Sequence, residues 1–167
     1  MNANMKEKLT ILIAALFITL TAKGQNLFFI GENSFSCTKT ITLQSNTNDV
    51  SDLNVLFAKD GKIGLFAIIA ESSIGSKFSE KLIIYLENGT VISCTQRRSS
   101  DLVENMAKAV YSLTSDQLNK MKNSNIHSVR YTLELRTAEG HLVGEISRTA
   151  SNKGAPTKTL VTDFFNE

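Results

Sequence analysis

Tryptophan, proline, cysteine and histidine are rare or absent in the sequence. Tryptophan is absent, Pro156 is the single proline, and the 167 residues include two cysteines and two histidines. No stretch rich in proline, glycine and serine divides the chain, and neither low complexity nor an internal repeat is present. The sequence therefore predicts one globular domain, which is long enough to bury a hydrophobic core.

An apolar run of membrane-spanning length is also missing. Residues 9–20 (LTILIAALFITL) follow a basic start and precede Ala22-Lys23-Gly24, which is the order of a cleavable signal peptide. A helix of that length rises about 18 Å, whereas the hydrocarbon core is about 30 Å thick, so an uncleaved anchor fits less well. We expect residues 1–24 to be a signal peptide cut before Gln25, residues 25–167 to be the single globular domain, and the product to be periplasmic or secreted, without a membrane span.

No strong net charge remains once that segment is removed. The whole chain has 18 lysines and arginines against 16 aspartates and glutamates. Residues 1–24 include Lys6, Lys8 and Lys23 and the acidic Glu7, so the remainder carries 15 charges of each sign. A neutral domain has no electrostatic attraction for nucleic acid or for an acidic membrane surface, and we predict no nucleic-acid partner.

The two cysteines, Cys37 and Cys94, allow two interpretations. In an oxidising compartment they could form one disulfide that closes a long loop. Both also lie among apolar residues of predicted strands, where a free thiol is a good core side chain. No other Cys or His stands at a spacing typical of a metal site, so no metal or other cofactor is predicted.

Alternating apolar and polar residues predict a domain made mainly of β-strands. Strands are expected over residues 27–31, 35–43, 53–58, 62–70, 81–87, 90–95, 126–136 and 141–149. The run 62–70 is apolar on both faces, which predicts a central strand covered on each side. Asn88-Gly89 predicts a two-residue type I′ turn that pairs Leu86 with Val91. The last hairpin is expected to pair Tyr131 with Ile146.

Two short helices are predicted in the second half of the chain. Thr114 to Gln117 forms a capping box ahead of Leu118 and Met121. Pro156 stands at the start of a second apolar stripe that ends at Phe165.

Residues 99–111 fit either a helix or a strand, and we favour a strand from Ala107 onward. Polar loops are expected at 44–52 and 71–80.

About seven or eight strands in hairpins together with two short helices predict an α+β fold with a predominantly antiparallel β-sheet.

No catalytic or binding motif is present, and no catalytic residue is predicted. The sequence contains neither Gly-x-Ser-x-Gly nor a phosphate-binding glycine loop. His127 and His141 are expected near opposite ends of the last hairpin, about 30 Å apart, so they cannot share a site. The acidic residues that could act in a scattered carboxylate pair are Glu71, Glu80, Asp101, Glu134 and Glu145.

Three short segments invite a functional interpretation that a simpler one outweighs. The cluster from Asn46 to Asp52 has oxygen ligands suited to calcium but lacks the spacing of an EF-hand loop. Asn88-Gly89-Thr90 matches a glycosylation sequon but is better explained as a turn. Arg97-Arg98 could receive an anion, although it is also a polar end of a strand.

The sequence therefore predicts an exported non-catalytic domain that binds a partner or supports an assembly. We expect the partner among envelope or extracellular proteins. Two alternatives remain open. One is a small secreted hydrolase built on scattered carboxylates. The other is an inhibitor-like domain whose loops at 44–52 and 71–80 dock a protein.

Overall fold

A computed structural model describes residues 26–48, 50–72 and 75–166. The predicted signal peptide lies outside the described residues. The strands are β1 (Asn26–Ile30), β2 (Asn33–Cys37), β3 (Ile41–Ser45), β4 (Leu53–Asp60), β5 (Ile63–Glu71), β6 (Ser76–Phe78), β7 (Leu82–Leu86), β8 (Val91–Cys94), β9 (Arg97–Val103), β10 (Met106–Leu113), β11 (Ile126–Arg136) and β12 (Leu142–Ser151). The helices are α1 (Ser115–Asn123) and α2 (Thr157–Asn166).

The strands form one antiparallel sheet in the order β8-β7-β11-β12-β3-β4-β5-β10-β9. β6 pairs with β11, and the β1–β2 hairpin is attached to β4 through β2. The predicted α+β class with a mainly antiparallel sheet and two helices is confirmed. The described residues contain twelve strands rather than seven or eight, because the predicted strand 35–43 is divided, β6 lies in the predicted loop 71–80, and β9 lies partly in the ambiguous segment.

The sheet curls until its two ends nearly meet. A narrow gap, which we call the seam, remains between the two ends. Side chains of β9 and β10 bridge it to backbone carbonyls at the end of β6. Arg97 Nη1 donates to the carbonyl of Phe78, and the Tyr111 hydroxyl donates to the carbonyl of Ser79 at 2.7 Å. The seam is therefore closed by side chains instead of a strand ladder.

The curled sheet encloses an inner core, and the β1–β2 hairpin covers a smaller outer core on the opposite face. The inner core includes Leu43, Val55, Phe57, Phe66, Ile68, Phe78, Tyr111, Val129 and Tyr131. The outer core is formed by Phe28, Ile30, Phe35, Cys37, Leu56, Ala58, Leu65, Ala67 and Val110. Successive residues of β5 alternate between the two cores, so the prediction of a central strand covered on both sides is confirmed.

Thr38 marks the point where the chain passes from the outer layer to the inner one. Its N–H donates to the carbonyl of Phe57 at 2.8 Å, and its hydroxyl accepts from the Phe57 N–H at 3.1 Å. These bonds satisfy the backbone at the break between β2 and β3. The predicted continuous strand 35–43 is thereby divided, and its buried residues serve two different cores.

Both helices cover the same end of the curled sheet. The capping box that the sequence predicts is present, since the Thr114 hydroxyl accepts from the Gln117 N–H and the Gln117 side chain accepts from the Thr114 N–H. Gly64 permits the helices to approach β5, because a Cβ there would lie 3.4 Å from both Leu118 and Phe165. Met121 and Val161 are buried in the inner core, which confirms the predicted helix faces.

The β7–β8 hairpin has a register one residue away from the prediction. Tyr85 pairs with Val91, and Leu86 N–H donates to the Thr90 carbonyl at 2.9 Å. The loop therefore has three residues and ends at Gly89, which alone adopts a positive φ (81°). A type I′ turn needs positive φ at both central positions, and Asn88 does not supply it. In this register Val91 is exposed.

The two-residue turn with two positive φ angles lies instead between β9 and β10. Glu104 and Asn105 have φ values of 50° and 63°, and Val103 pairs directly with Met106. This turn settles the ambiguous segment as a hairpin, and the predicted strand from Ala107 is confirmed.

The β11–β12 hairpin keeps the predicted faces but pairs different residues. Tyr131 lies opposite Arg148, and Leu133 lies opposite Ile146. The register differs from the prediction by two residues. One comes from the turn, which spans residues 137–141, and the other from a bulge between Leu135 and Arg136, where Val143 is an extra residue on β12. Among the described residues no helix has both the length and the apolar character needed to cross a membrane.

Candidate functional site

A groove of about 410 Å³ lies between the start of β3 and helix α2. We call it the β3–α2 groove; its lining includes Lys39, Ile41, Thr42, Pro156, Leu160 and Asp163. Ile41 is buried and Leu160 packs against the inner core, so the wall of the groove is continuous with the hydrophobic interior.

The groove exists because β12 accompanies β3 for only a short distance. The two strands pair at Ser45 and Ala150 and at Gln44 and Ser151. Asn152 then turns the chain away, since its amide nitrogen donates to the carbonyls of Ile126 and Ala155, each at 2.9 Å, while its amide oxygen accepts from the Ala155 N–H at 2.8 Å. Beyond this turn no described strand lies along the edge of β3.

The edge of β3 is therefore open at Thr42. Ile41 and Leu43 lie in the ladder with β4, and backbone groups in an antiparallel strand alternate between its two sides. Asn46 N–H points to the other side, where it donates to the Thr149 carbonyl at 3.0 Å. By the same alternation, the N–H and C=O of Thr42 point away from β4 into the β3–α2 groove, where no described backbone group pairs with them.

The two charged side chains of the groove have opposite signs. Lys39 stands before β3, and Asp163 stands on α2. Within the described residues neither forms an ion pair. The groove thus combines an apolar wall, an open strand edge and one charge of each sign. These features suit the binding of an extended polypeptide segment.

A second groove, of about 450 Å³, is lined by three of the predicted acidic candidates, Glu80, Glu134 and Glu145. Glu134 and Glu145 are direct cross-strand partners on the polar face of the β11–β12 hairpin. Arg136 holds Glu134 on the same strand, with Nη2 and Nε at 2.6 and 3.2 Å from Glu134 Oε2. The ion pair thus runs along one strand.

The other acidic candidates make separate structural contacts. The Ser51 hydroxyl donates to Glu71 Oε2 at 2.5 Å, and the Gly31 N–H donates to Asp101 Oδ2 at 3.1 Å. Glu80 lines the second groove without joining a cluster. In the part of the chain that the structure describes, no group of three or more His, Cys, Asp or Glu residues could hold a metal ion.

The residues considered for calcium are also engaged elsewhere. Asp52 Oδ1 accepts from the Ser45 N–H at 2.8 Å, and Asn46 Oδ1 accepts from the Ser151 hydroxyl at 2.8 Å. Asp49 lies outside the described residues. These bonds explain the polar residues of the loop as ties between β3, β4 and β12.

The structure places the two histidines at opposite ends of the β11–β12 hairpin. His127 lines an open groove of about 420 Å³ beside Tyr85 and Gly89. His141 lies beside the turn, where its carbonyl accepts from the Thr137 N–H at 2.9 Å. Each histidine therefore stands apart from the other.

Both cysteines are free and buried, in different cores. Cys37 belongs to the outer core and Cys94 to the inner core, so the sheet lies between them. Burial raises the pKa of both thiols, that of Cys94 to about 12. The structure therefore contains the buried free thiols of the second interpretation and no link between them.

The remaining segments singled out in the sequence have structural partners. Arg97 donates to the Phe78 carbonyl across the seam, and Arg98 forms an ion pair with Asp60 at the β4–β5 turn. Asn88 is exposed in its turn, where its side-chain oxygen accepts from the Thr90 N–H at 3.0 Å.

The two polar loops come together at one end of the curled sheet, opposite the helices. The Ser51–Glu71 bond joins them, and Ser72 N–H donates to the Asn105 carbonyl at 2.6 Å. We call this the loop end; it contains the described parts of residues 46–52 and 71–75 together with the β9–β10 turn.

Sequence reasoning missed the β3–α2 groove. The only available signal was Pro156, which marks the start of α2 but not its distance from β3. The groove depends on where β12 leaves β3, and the predicted register of the last hairpin did not contain that information.

The chain matches no protein-family model, and comparisons with curated proteins and with solved structures likewise gave no match.

Proposed function

We propose that this chain is an exported, non-catalytic binding domain whose β3–α2 groove takes an extended segment of a partner protein. The observation that supports it most is the open edge of β3 at Thr42, which lies beside an apolar wall. A strand edge offers hydrogen bonds to any extended backbone, while the wall selects among side chains.

Backbone pairing sets the conformation of the occupant. The Thr42 N–H and C=O would bond to one residue of an incoming strand, in the direction that β12 follows where it pairs with β3. A helix could not use these groups, because its own N–H and C=O groups bond internally. The occupant is therefore expected to be extended.

Side chains of the groove set the composition of the occupant. An extended segment directs alternate residues toward one side, so a residue that faces Ile41 and Leu160 should be apolar. Lys39 favours an acidic residue near its end of the groove, and Asp163 favours a basic one. Since the exported product would meet envelope or extracellular proteins, we place the partner among them.

A single substitution at Thr42 tests the groove. Thr42→Pro removes the N–H that faces the groove but leaves the β3–β4 ladder intact, because proline is tolerated on the open side of an edge strand. Nine-residue random peptides displayed on phage would be selected on the wild-type protein, and their affinities measured by calorimetry. We expect Thr42→Pro to weaken the selected peptides by tenfold or more.

The matched control is Thr42→Val, which keeps the backbone and removes only the hydroxyl that donates to Asn54 Oδ1. Its affinities should stay within about twofold of wild type. Peptides that bind Thr42→Pro as well as they bind wild type would contradict the proposal, as would a failure to select any peptide that distinguishes the two proteins.

Export is supported by the basic, apolar and small-residue segments within residues 1–24. The intact mass of the protein from its own cells and medium tests this, and we expect a chain that begins at Gln25.

Alkylation with iodoacetamide should leave Cys94 unmodified until the protein is denatured, because a thiol with a pKa of about 12 is protonated at neutral pH. A full-length mass would contradict export, and a mass two hydrogens lower would indicate a disulfide.

A second candidate function is the hydrolase alternative, which is supported by the direct pairing of the carboxylate residues Glu134 and Glu145. Glu145→Gln distinguishes the two functions. It would abolish a carboxylate-dependent activity, whereas it should leave peptide binding in the distant β3–α2 groove unchanged.

A further inference from the structure

Arg148 is a charged residue on the core face of the sheet. It lies directly opposite Tyr131, and paired residues of neighbouring strands point to the same face. Tyr131 belongs to the inner core and is 2% exposed. The pairs on either side, Val129 with Ala150 and Leu133 with Ile146, are apolar. An arginine at this position enters the same interior as these neighbours.

Among the described residues, the Nε atom of Arg148 lacks the hydrogen bond that a buried polar atom normally has. It is buried and has no hydrogen-bond partner in the part of the chain that the structure describes. The ion pairs of the described residues involve Arg98, Lys120 and Arg136, and none of them includes Arg148. Buried polar atoms are usually hydrogen-bonded, so the unpartnered Nε calls for an explanation.

Two polar groups lie near the guanidinium. Burial raises the pKa of Tyr131, while the charge of Arg148 lowers it and that of Asp52 raises it, which places both charges within electrostatic range of the phenol. Among the described residues Asp52 forms no ion pair with Arg148, and its Oδ1 accepts from the Ser45 N–H at 2.8 Å. Phe78 packs edge-on against Tyr131, with ring centroids 5.5 Å apart, and fixes the phenol.

The site is also open to solvent on one side. The bond between Asn46 N–H and the Thr149 carbonyl is the last described backbone bond between the β3 chain and β12. Arg148 is the next residue of β12 toward the loop end, and its side chain is partly accessible. A group of a few atoms can therefore reach the guanidinium at the fork where the two strands separate.

We propose that Arg148, together with the hydroxyl of Tyr131, binds an oxyanion at this fork. The ligand is a carboxylate or phosphate group, because the planar N–H donors of a guanidinium match two oxygens of such a group. Its source is either a free small anion or an acidic side chain of a partner protein. This site is separate from the β3–α2 groove and does not depend on occupation of that groove.

Nitrogen-15 NMR of the arginine side chains tests the proposal on the folded wild-type protein. The Arg148 Nε–Hε resonance would be followed during titration with sodium acetate and with sodium phosphate, with sodium chloride at matched ionic strength as reference. We expect a saturable shift with an oxyanion and none with chloride. The exposed Arg130, on the other face of the same hairpin, should show no saturable shift and serves as the internal control.

Variants assign the shift to the site. Arg148→Gln should reduce oxyanion affinity at least tenfold, Tyr131→Phe by a smaller factor, and Asp52→Asn should increase it because a nearby negative charge is removed. Saturation by acetate or phosphate at millimolar concentration identifies a free anion as the source. Saturation only by a glutamate-containing hexapeptide identifies a side chain.

An Arg148 resonance that does not move with acetate, phosphate or the hexapeptide would overturn the proposal. This outcome needs no variant, so it remains decisive even if Arg148→Gln fails to fold. Loss of peptide binding in Thr42→Pro would leave the Arg148 titration unaffected, and the two sites can therefore fail independently.

Discussion

The two halves of the sheet differ in how many of their faces are buried. In β4, β5 and β10, inward residues enter the inner core and outward residues are covered by the β1–β2 hairpin. In β7, β11 and β12 only one face is buried. The first half is accordingly apolar in almost every position, whereas the second alternates between apolar and polar residues.

The doubly covered half of the sheet contributes mainly to stability, whereas the proposed binding sites lie in or beside the half covered on one face. A strand covered on both faces has no surface left for a ligand, and it contributes mainly to the core. The half covered on one face contains the second groove, the Arg148 fork and the point where β12 leaves β3. The open edge of β3 lies at the border between the two halves.

Substitutions in adjacent residues sharpen the comparison. Phe66 faces the inner core with its ring 5.3 Å from that of Phe57, and Leu65 faces the outer core. Phe66→Ala should reduce the free energy of unfolding by about 3–5 kcal/mol and Leu65→Ala by about 2–5 kcal/mol. Each value is a large part of the roughly 5–15 kcal/mol by which domains are stable.

The matched substitution in the second half is Thr132→Ala, next to the buried Tyr131. The Thr132 hydroxyl bonds to that of Ser147 at 3.1 Å on the exposed face, so its loss should cost only about 0.5 kcal/mol. Denaturant unfolding of the three variants provides the comparison. If Leu65→Ala were as mild as Thr132→Ala, the outer core would not contribute to stability and the contrast between the halves would fail.

Local patterns in the sequence predicted the elements of the fold well. The capping box at Thr114 forms as expected, and the doubly apolar run 62–70 is the central strand β5. These features depend on neighbouring residues only. The division of residues 35–43 could not be predicted, because it depends on the bonds between Thr38 and the distant Phe57.

The pairing of residues within the hairpins, and the sites that depend on it, could not be predicted as well from the sequence. The Asn88-Gly89 pair was expected to form a type I′ turn, yet the two positive φ angles occur at Glu104 and Asn105, residues with a weaker preference for that turn. A turn one residue longer than expected and the bulge at Val143 together moved the partner of Tyr131 from Ile146 to Arg148. The predicted register already places Arg148 on the core face, opposite Val129, but its pairing with the Tyr131 phenol appears only with the correct register.

Amide hydrogen exchange at two neighbouring residues of β3 tests the central claim most directly. We expect the Thr42 N–H, which faces the β3–α2 groove, to exchange orders of magnitude faster than the Leu43 N–H, which lies in the ladder with β4. A peptide selected on the groove should slow exchange at Thr42 alone. Equal protection of Thr42 and Leu43 in the free protein would show that the edge is already paired, which would contradict the proposed binding site.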